Sequence, residues 1–152
     1  MVMVKPILES LNPIEILLVE DNPGDIRLTQ EVLSEGHIDN HLNVVEDGEK
    51  AIAFLTRTAP YSQAPNPHLV LLDLNLPRRS GLDVLKIIKT SEALKHIPVV
   101  VFTSSHAEED IMSAYSLHAN CYITKPIDLE RFTKSIKSIE DFWLSMVELP
   151  PE

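Results

Sequence analysis

Cysteine is nearly missing from these 152 residues: Cys121 stands alone, so no internal disulfide can form and the chain suits a reducing compartment. Glycine is scarce, at positions 24, 36, 48 and 81 only, and these form no Gly-x-Gly-x-x-Gly. That excludes the dinucleotide-binding fingerprint of an oxidoreductase. Lys and Arg number 13 against 23 Asp and Glu, for a formal net charge of −10. Nucleic acids and anionic membranes reward clustered basic residues, so neither is expected as a partner. No apolar run approaches the length of a membrane span. Met1–Asn12 carries one Lys and no long apolar core, which argues against a signal peptide and leaves the cytoplasm as the expected location.

What is present is ordinary for a folded chain: 44% hydrophobic and 24% charged residues, enough for one domain that buries its core without staples. Residues 1–12 are expected to be a loose leader, 13–147 the domain, and 148–152 a tail. Apolar runs at Ile14–Val19, Leu42–Glu46, about Leu69–Asp73, Ile97–Thr103 and Asn120–Ile123 read as strands. Between them, apolar residues spaced three and four apart predict helices to about Glu35, after Asp47-Gly48, after Gly81, and over Glu108–Leu117. A last helix is predicted over Asp128–Val147, with a stripe of Leu129, Phe132, Ile136, Ile139, Trp143 and Met146. Ala59–Pro67, with three prolines, reads as an irregular loop. Strands alternating with helices predict an α/β fold with a parallel, doubly wound sheet.

Where the strands end, the residues turn polar. The first runs into Glu20-Asp21, the third into Asp73, the fourth into Thr103, and Lys125 follows the fifth. Strand ends become polar in any protein that leaves its core, so no single residue here means much. Together they lie where open α/β sheets bind ligands. Two like charges about 4 Å apart repel by roughly 4 kcal/mol at an effective dielectric near 20. Clustered carboxylates therefore call for a cation, a shared proton or separation. An all-oxygen set suits Mg²⁺, with Asp21 and Asp73 as direct ligands and Glu20 acting through water. Lys125 can pair with Asp73 and then with a phosphate oxygen, and Thr103 can hydrogen-bond a phosphoryl group. These parts describe an aspartate that accepts a phosphoryl group.

Four blocks then carry a resemblance: Val19-Glu20-Asp21-Asn22; Leu71-Leu72-Asp73-Leu74-Asn75-Leu76-Pro77 with Gly81; Val101-Phe102-Thr103-Ser104; and Tyr122-Ile123-Thr124-Lys125-Pro126. In this order, on predicted strand ends, they resemble the receiver domains of two-component response regulators from about Ile14 to Val147. The resemblance implies a flavodoxin-like (βα)5 three-layer sandwich with strand order 2-1-3-4-5, one of the two common doubly wound orders. It implies Asp73 as phosphoacceptor, Mg²⁺ or Mn²⁺ held by Glu20, Asp21, Asp73 and the backbone carbonyl of Asn75, Lys125 as phosphate-binding lysine, and Thr103 with Tyr122 as switch pair. It also implies a cis bond between Lys125 and Pro126. His118-Ala119 stands where the family often has Gly-Ala, and Ser105 lies where side chains tune access of water.

The proline-rich loop, Leu117–Tyr122 and the tail Ile139–Leu144 resemble, more narrowly, the single-domain response regulators of cyanobacterial phytochromes. That likeness implies a phytochrome-type histidine kinase as partner and a homodimer through the last helix–strand–helix region. Two other functions stay open: a receiver-fold interaction module that works without phosphorylation, and a Mg²⁺-dependent aspartyl-phosphate phosphatase. The haloacid-dehalogenase kind of the latter needs an Asp two residues after the nucleophile, where this chain has Asn75, so an enzyme is not expected. Six scattered histidines, at 37, 41, 68, 96, 106 and 118, lack ligand spacing. Cys121 reads as a small core residue, Arg78 and Arg79 as either a recruiting patch or a solvated loop, and Asn22-Pro23 and Asp47-Gly48 as turn chemistry.

Overall fold

Every predicted apolar run becomes a strand. The structure, a computed structural model, describes residues 13–151; the expected leader and Glu152 lie outside the described residues. The strands are β1 (Ile14–Val19), β2 (Asn40–Val45), β3 (Leu69–Leu72), β4 (Val99–Thr103) and β5 (Cys121–Thr124). All pair in parallel, in the order β2-β1-β3-β4-β5. The helices between and after them are α1 (Pro23–Ser34), α2 (Gly48–Thr56), α3 (Gly81–Thr90), α4 (Glu108–Ser116) and α5 (Leu129–Ile139).

Side chains of a strand alternate between faces, and the core divides accordingly. Leu17, Val19, Val70, Leu72, Val99 and Val101 meet α2, α3 and Ala114 of α4 on one face. Ile16, Leu18, Leu69, Leu71, Val100 and Phe102 meet α1 and α5 on the other. Apolar residues on both faces explain why β3 and β4 read as continuous hydrophobic runs. Side chains start four helices: Asn22, Asp47, Ser80 and Asp128 accept hydrogen bonds from the N–H groups of Asp25, Lys50, Asp83 and Arg131. The dipeptides that read as turns are thus caps.

Three expectations need correction. The last helix does not stay α-helical to Val147: it leaves α5 at Ile139 and continues as a π-helical turn over Glu140–Met146, with Val147 N–H donating to the Phe142 carbonyl at 3.0 Å. The wider turn shifts the inward register by one residue. Glu140 and Leu144 are buried, while Met146, expected in the stripe, is 74% exposed. Leu129, before the first buried turn, is also on the surface. The Glu140 carboxylate is pressed over Gly36 at the end of α1, 1.5 Å from where a Cβ on Gly36 would stand; its Oε2 has no hydrogen-bond partner. Finally, the Lys125–Pro126 bond is trans, the ordinary state of an X–Pro bond; among the described residues the one cis bond is Ala59–Pro60.

Candidate phosphoacceptor site

The strand order turns around between β1 and β3, and there the sheet opens a crevice at its C-terminal edge. Ladder bonds carry on past the strands: Glu20 N–H donates to the Val45 carbonyl and Asp73 N–H to the Val19 carbonyl, each at 3.0 Å. This brings two carboxylates from different strands side by side. Glu20 and Asp73 are buried and Asp21 is exposed; one carboxylate oxygen of each lies within 4.8 Å of the others. Gly81 seats the loop after Asp73: a Cβ there would stand 2.2 Å from the Asp73 carbonyl oxygen.

Around Asp73 the partners converge. Thr103 Oγ1 donates to Asp73 Oδ1 at 2.6 Å, and Asn75 N–H donates to the same oxygen at 3.2 Å. Lys125 Nζ donates to Asp73 Oδ2 at 3.0 Å, to Asp25 Oδ2 at 2.9 Å and to Glu20 Oε1. Lys125 is anchored in turn, its backbone N–H bonded to the Thr103 carbonyl at 2.7 Å and its ammonium 6.0 Å from the centre of the Phe102 ring. Tyr122, the other half of the expected switch pair, donates its hydroxyl to the Ser105 carbonyl at 2.8 Å. Ser105 bonds Asp110 in the first turn of α4.

Charge sets the electrostatics. Burial pushes the Glu20 carboxyl up to about 7; Lys125 opposes the rise and the Asp73 charge adds to it. Burial alone would raise Asp73 too, but the Thr103 hydroxyl and Lys125 hold it below its usual value. Lys125 resists the downward pull of burial and lies above its usual range because of its carboxylate partners, Glu20 first. Three carboxylates, Glu20, Asp25 and Asp73, thus share one ammonium, with the Asp21 carboxylate beside Glu20 and Asp73. An all-oxygen set with surplus negative charge fits a hard divalent cation.

The crevice brings together Glu20, Asp21, Asp73, Thr103 and Lys125, with Asn75 beside them; Tyr122 bonds Ser105 and none of these. Asp25 was not foreseen. It reads as part of a turn, and its only signal is an acidic residue in the first turn of a helix that follows an acidic strand end. Arg78 and Arg79 face local acids, Asp47 at 3.7 Å and Asp83 at 3.6 Å. No histidine joins a metal-competent group among the described residues; His41 pairs with Glu15, and His68 Nδ1 accepts from the Glu15 N–H. Cys121 is half-buried, its thiol pushed up by burial.

Residues 16–137 match the response regulator receiver domain family. Response regulator Rcp1 of Synechocystis sp. is 50% identical over 142 residues, which is 93% of this chain and 97% of Rcp1. The crystal structure of the Mn²⁺-bound form of Rcp1 superposes with a TM-score of 0.90, covering 91% of this chain and 100% of that one. The phosphorylated cyanobacterial phytochrome response regulator RcpA gives a TM-score of 0.89 at 47% identity, with 91% and 99% covered. Acidic pair, aspartate, hydroxyl and lysine stand at the ends of four neighbouring strands of the sheet, and the chain belongs to the response regulator receiver domain family.

Proposed function

We propose that this receiver takes a phosphoryl group onto Asp73 from the phosphohistidine of a phytochrome-type histidine kinase. The observation that carries the reading is the setting of Asp73: a buried carboxylate kept ionised by Thr103 and Lys125. An ionised carboxylate oxygen attacks phosphorus as the donor's P–N bond breaks, and that electron pair returns to the imidazole nitrogen. Lys125 and the Thr103 hydroxyl are within reach to hydrogen-bond the oxygens of the group that arrives. Mg²⁺ or Mn²⁺ would be held by Asp21, Asp73, the Asn75 carbonyl and, through water, Glu20; when bound it supplies positive charge against the transferring phosphate. The Mn²⁺-bound form of Rcp1 and the phosphorylated form of RcpA support this reading.

Asn75 offers no general acid, so the phosphoryl group is held rather than turned over rapidly. The message then leaves by protein contact. Residues 13–147 act as the receiver unit, in the cytoplasm; among the described residues no helix is long and apolar enough to cross a membrane. A homodimer through α4, β5 and α5 is supported by exposed apolar side chains on α4, Met112 and Tyr115.

The test is direct. Incubated with a small acyl-phosphate donor and Mg²⁺, the intact protein gains the mass of one phosphate and Asp73→Ala gains none. No gain on the wild type, or an equal gain on Asp73→Ala, overturns the proposal.

A further inference from the structure

An ammonium group has three N–H donors, and in Lys125 all three are committed to carboxylates, those of Glu20, Asp25 and Asp73. The lysine side chain is 7% exposed, so water competes little for them. Two of the acceptors, Glu20 and Asp73, belong with Asp21 to the acidic group at the sheet edge. Asp25 does not. It comes from the first turn of α1, where its N–H donates to Asn22 Oδ1 at 3.0 Å and its carbonyl accepts from Thr29 Oγ1 at 2.8 Å. The cap therefore fixes the backbone from which the Asp25 carboxylate reaches Lys125. The same carboxylate lies at a groove of about 300 Å³ shared with Asn22, Ser104 and Lys125.

A phosphoryl group on Asp73 needs a donor from Lys125, and the one that comes free is the one Asp73 itself held. Asp73 gives up its carboxylate charge when one of its oxygens bonds to phosphorus. Asp25 keeps its full charge and its claim on the ammonium. Resting on the reading of Asp73 as phosphoacceptor, we propose that Asp25 is a positioning residue that restrains Lys125, so that a phosphoryl oxygen competes with Asp25 for the ammonium. The restraint loosens the hold on the phosphoryl group and ties that hold to the first turn of α1. Any contact that draws Asp25 outward frees one Lys125 donor.

Beryllofluoride, a tetrahedral mimic of the phosphoryl group, is titrated by calorimetry in the presence of Mg²⁺. Asp25→Asn is expected to bind it about tenfold more tightly, the order of one charge-assisted contact; Asp25→Glu, which retains the charge, stays near wild type. The gain persists at about 1 M salt, where screening acts within about 3 Å, because Lys125 is buried. Unchanged or weaker binding by Asp25→Asn, or a gain that vanishes in high salt, overturns the proposal. Should Asp25→Asn fail to fold, Asp25→Ala carries the same expectation. If the wild type binds no beryllofluoride, or Asp73→Ala binds it equally, the phosphoacceptor reading itself falls and this inference with it.

Discussion

Glu20 is a buried acid whose neighbours disagree about its charge, and its titration reports the state of the crevice. Its carboxyl is raised from 4.5 to about 7, so between those values the folded protein holds a proton that the unfolded chain has released. Stability therefore falls as pH rises across this window. Metal-free protein is expected to melt at a lower temperature at pH 7.5 than at pH 5, with added Mg²⁺ restoring the loss and Glu20→Gln flattening the slope; thermal unfolding across the window measures both. The acidic pair, Asp73, Thr103 and Lys125 were legible because each sits at the polar end of an apolar run. Asp25 was not, since an acid in the first turn of a helix is explained well enough by the helix dipole. His118 was legible only as a departure from an expected glycine: its φ of 69° is the left-handed value that glycine takes without strain.

At the scale of the element, spacing identified strands and helices but not the width of a helical turn. The stripe from Phe132 to Ile139 is buried as spaced. Past Ile139 the π turn puts one more residue into each repeat, and nothing in the run Glu140–Met146 marks this in advance, because Phe142, Trp143, Leu144 and Met146 offer an apolar candidate for almost any register. Burial decides it: Leu144 is 7% exposed and Met146 74%. Leu144→Ala is expected to cost about 2–4 kcal/mol through the cavity it leaves, and Met146→Ala no more than about 0.5 kcal/mol. Denaturant unfolding separates the two, and a reversed order would mean that the helix continues with α-helical spacing to its end.

For the molecule as a whole, the layers carry the site and the surface carries the contacts. The net charge of −10 repels a second copy, so association must come from apolar area and strengthen as salt screens that repulsion. Met112 and Tyr115 on α4 are 66% and 48% exposed, next to the strand that ends the sheet. Sedimentation at high protein concentration is expected to show dimers whose fraction rises with salt, and Met112→Glu with Tyr115→Glu to leave monomers. A wild type that stays monomeric, or a double variant that still pairs, contradicts the expectation. Alternation predicts the layered parallel sheet, and the family resemblance its strand order; which apolar side chains of α4 stay uncovered was not legible, because spacing does not say which of them the finished fold leaves exposed.

Gly36 and Glu140 lie 104 positions apart in the chain yet compete for one small volume. What one position can hold depends on the other. A lineage that gains a methyl group at 36 while Glu140 is long must move the carboxylate aside; one that first shortens 140 avoids that clash. The order in which two such changes arrive, and not only their sum, decides which sequences this fold can reach.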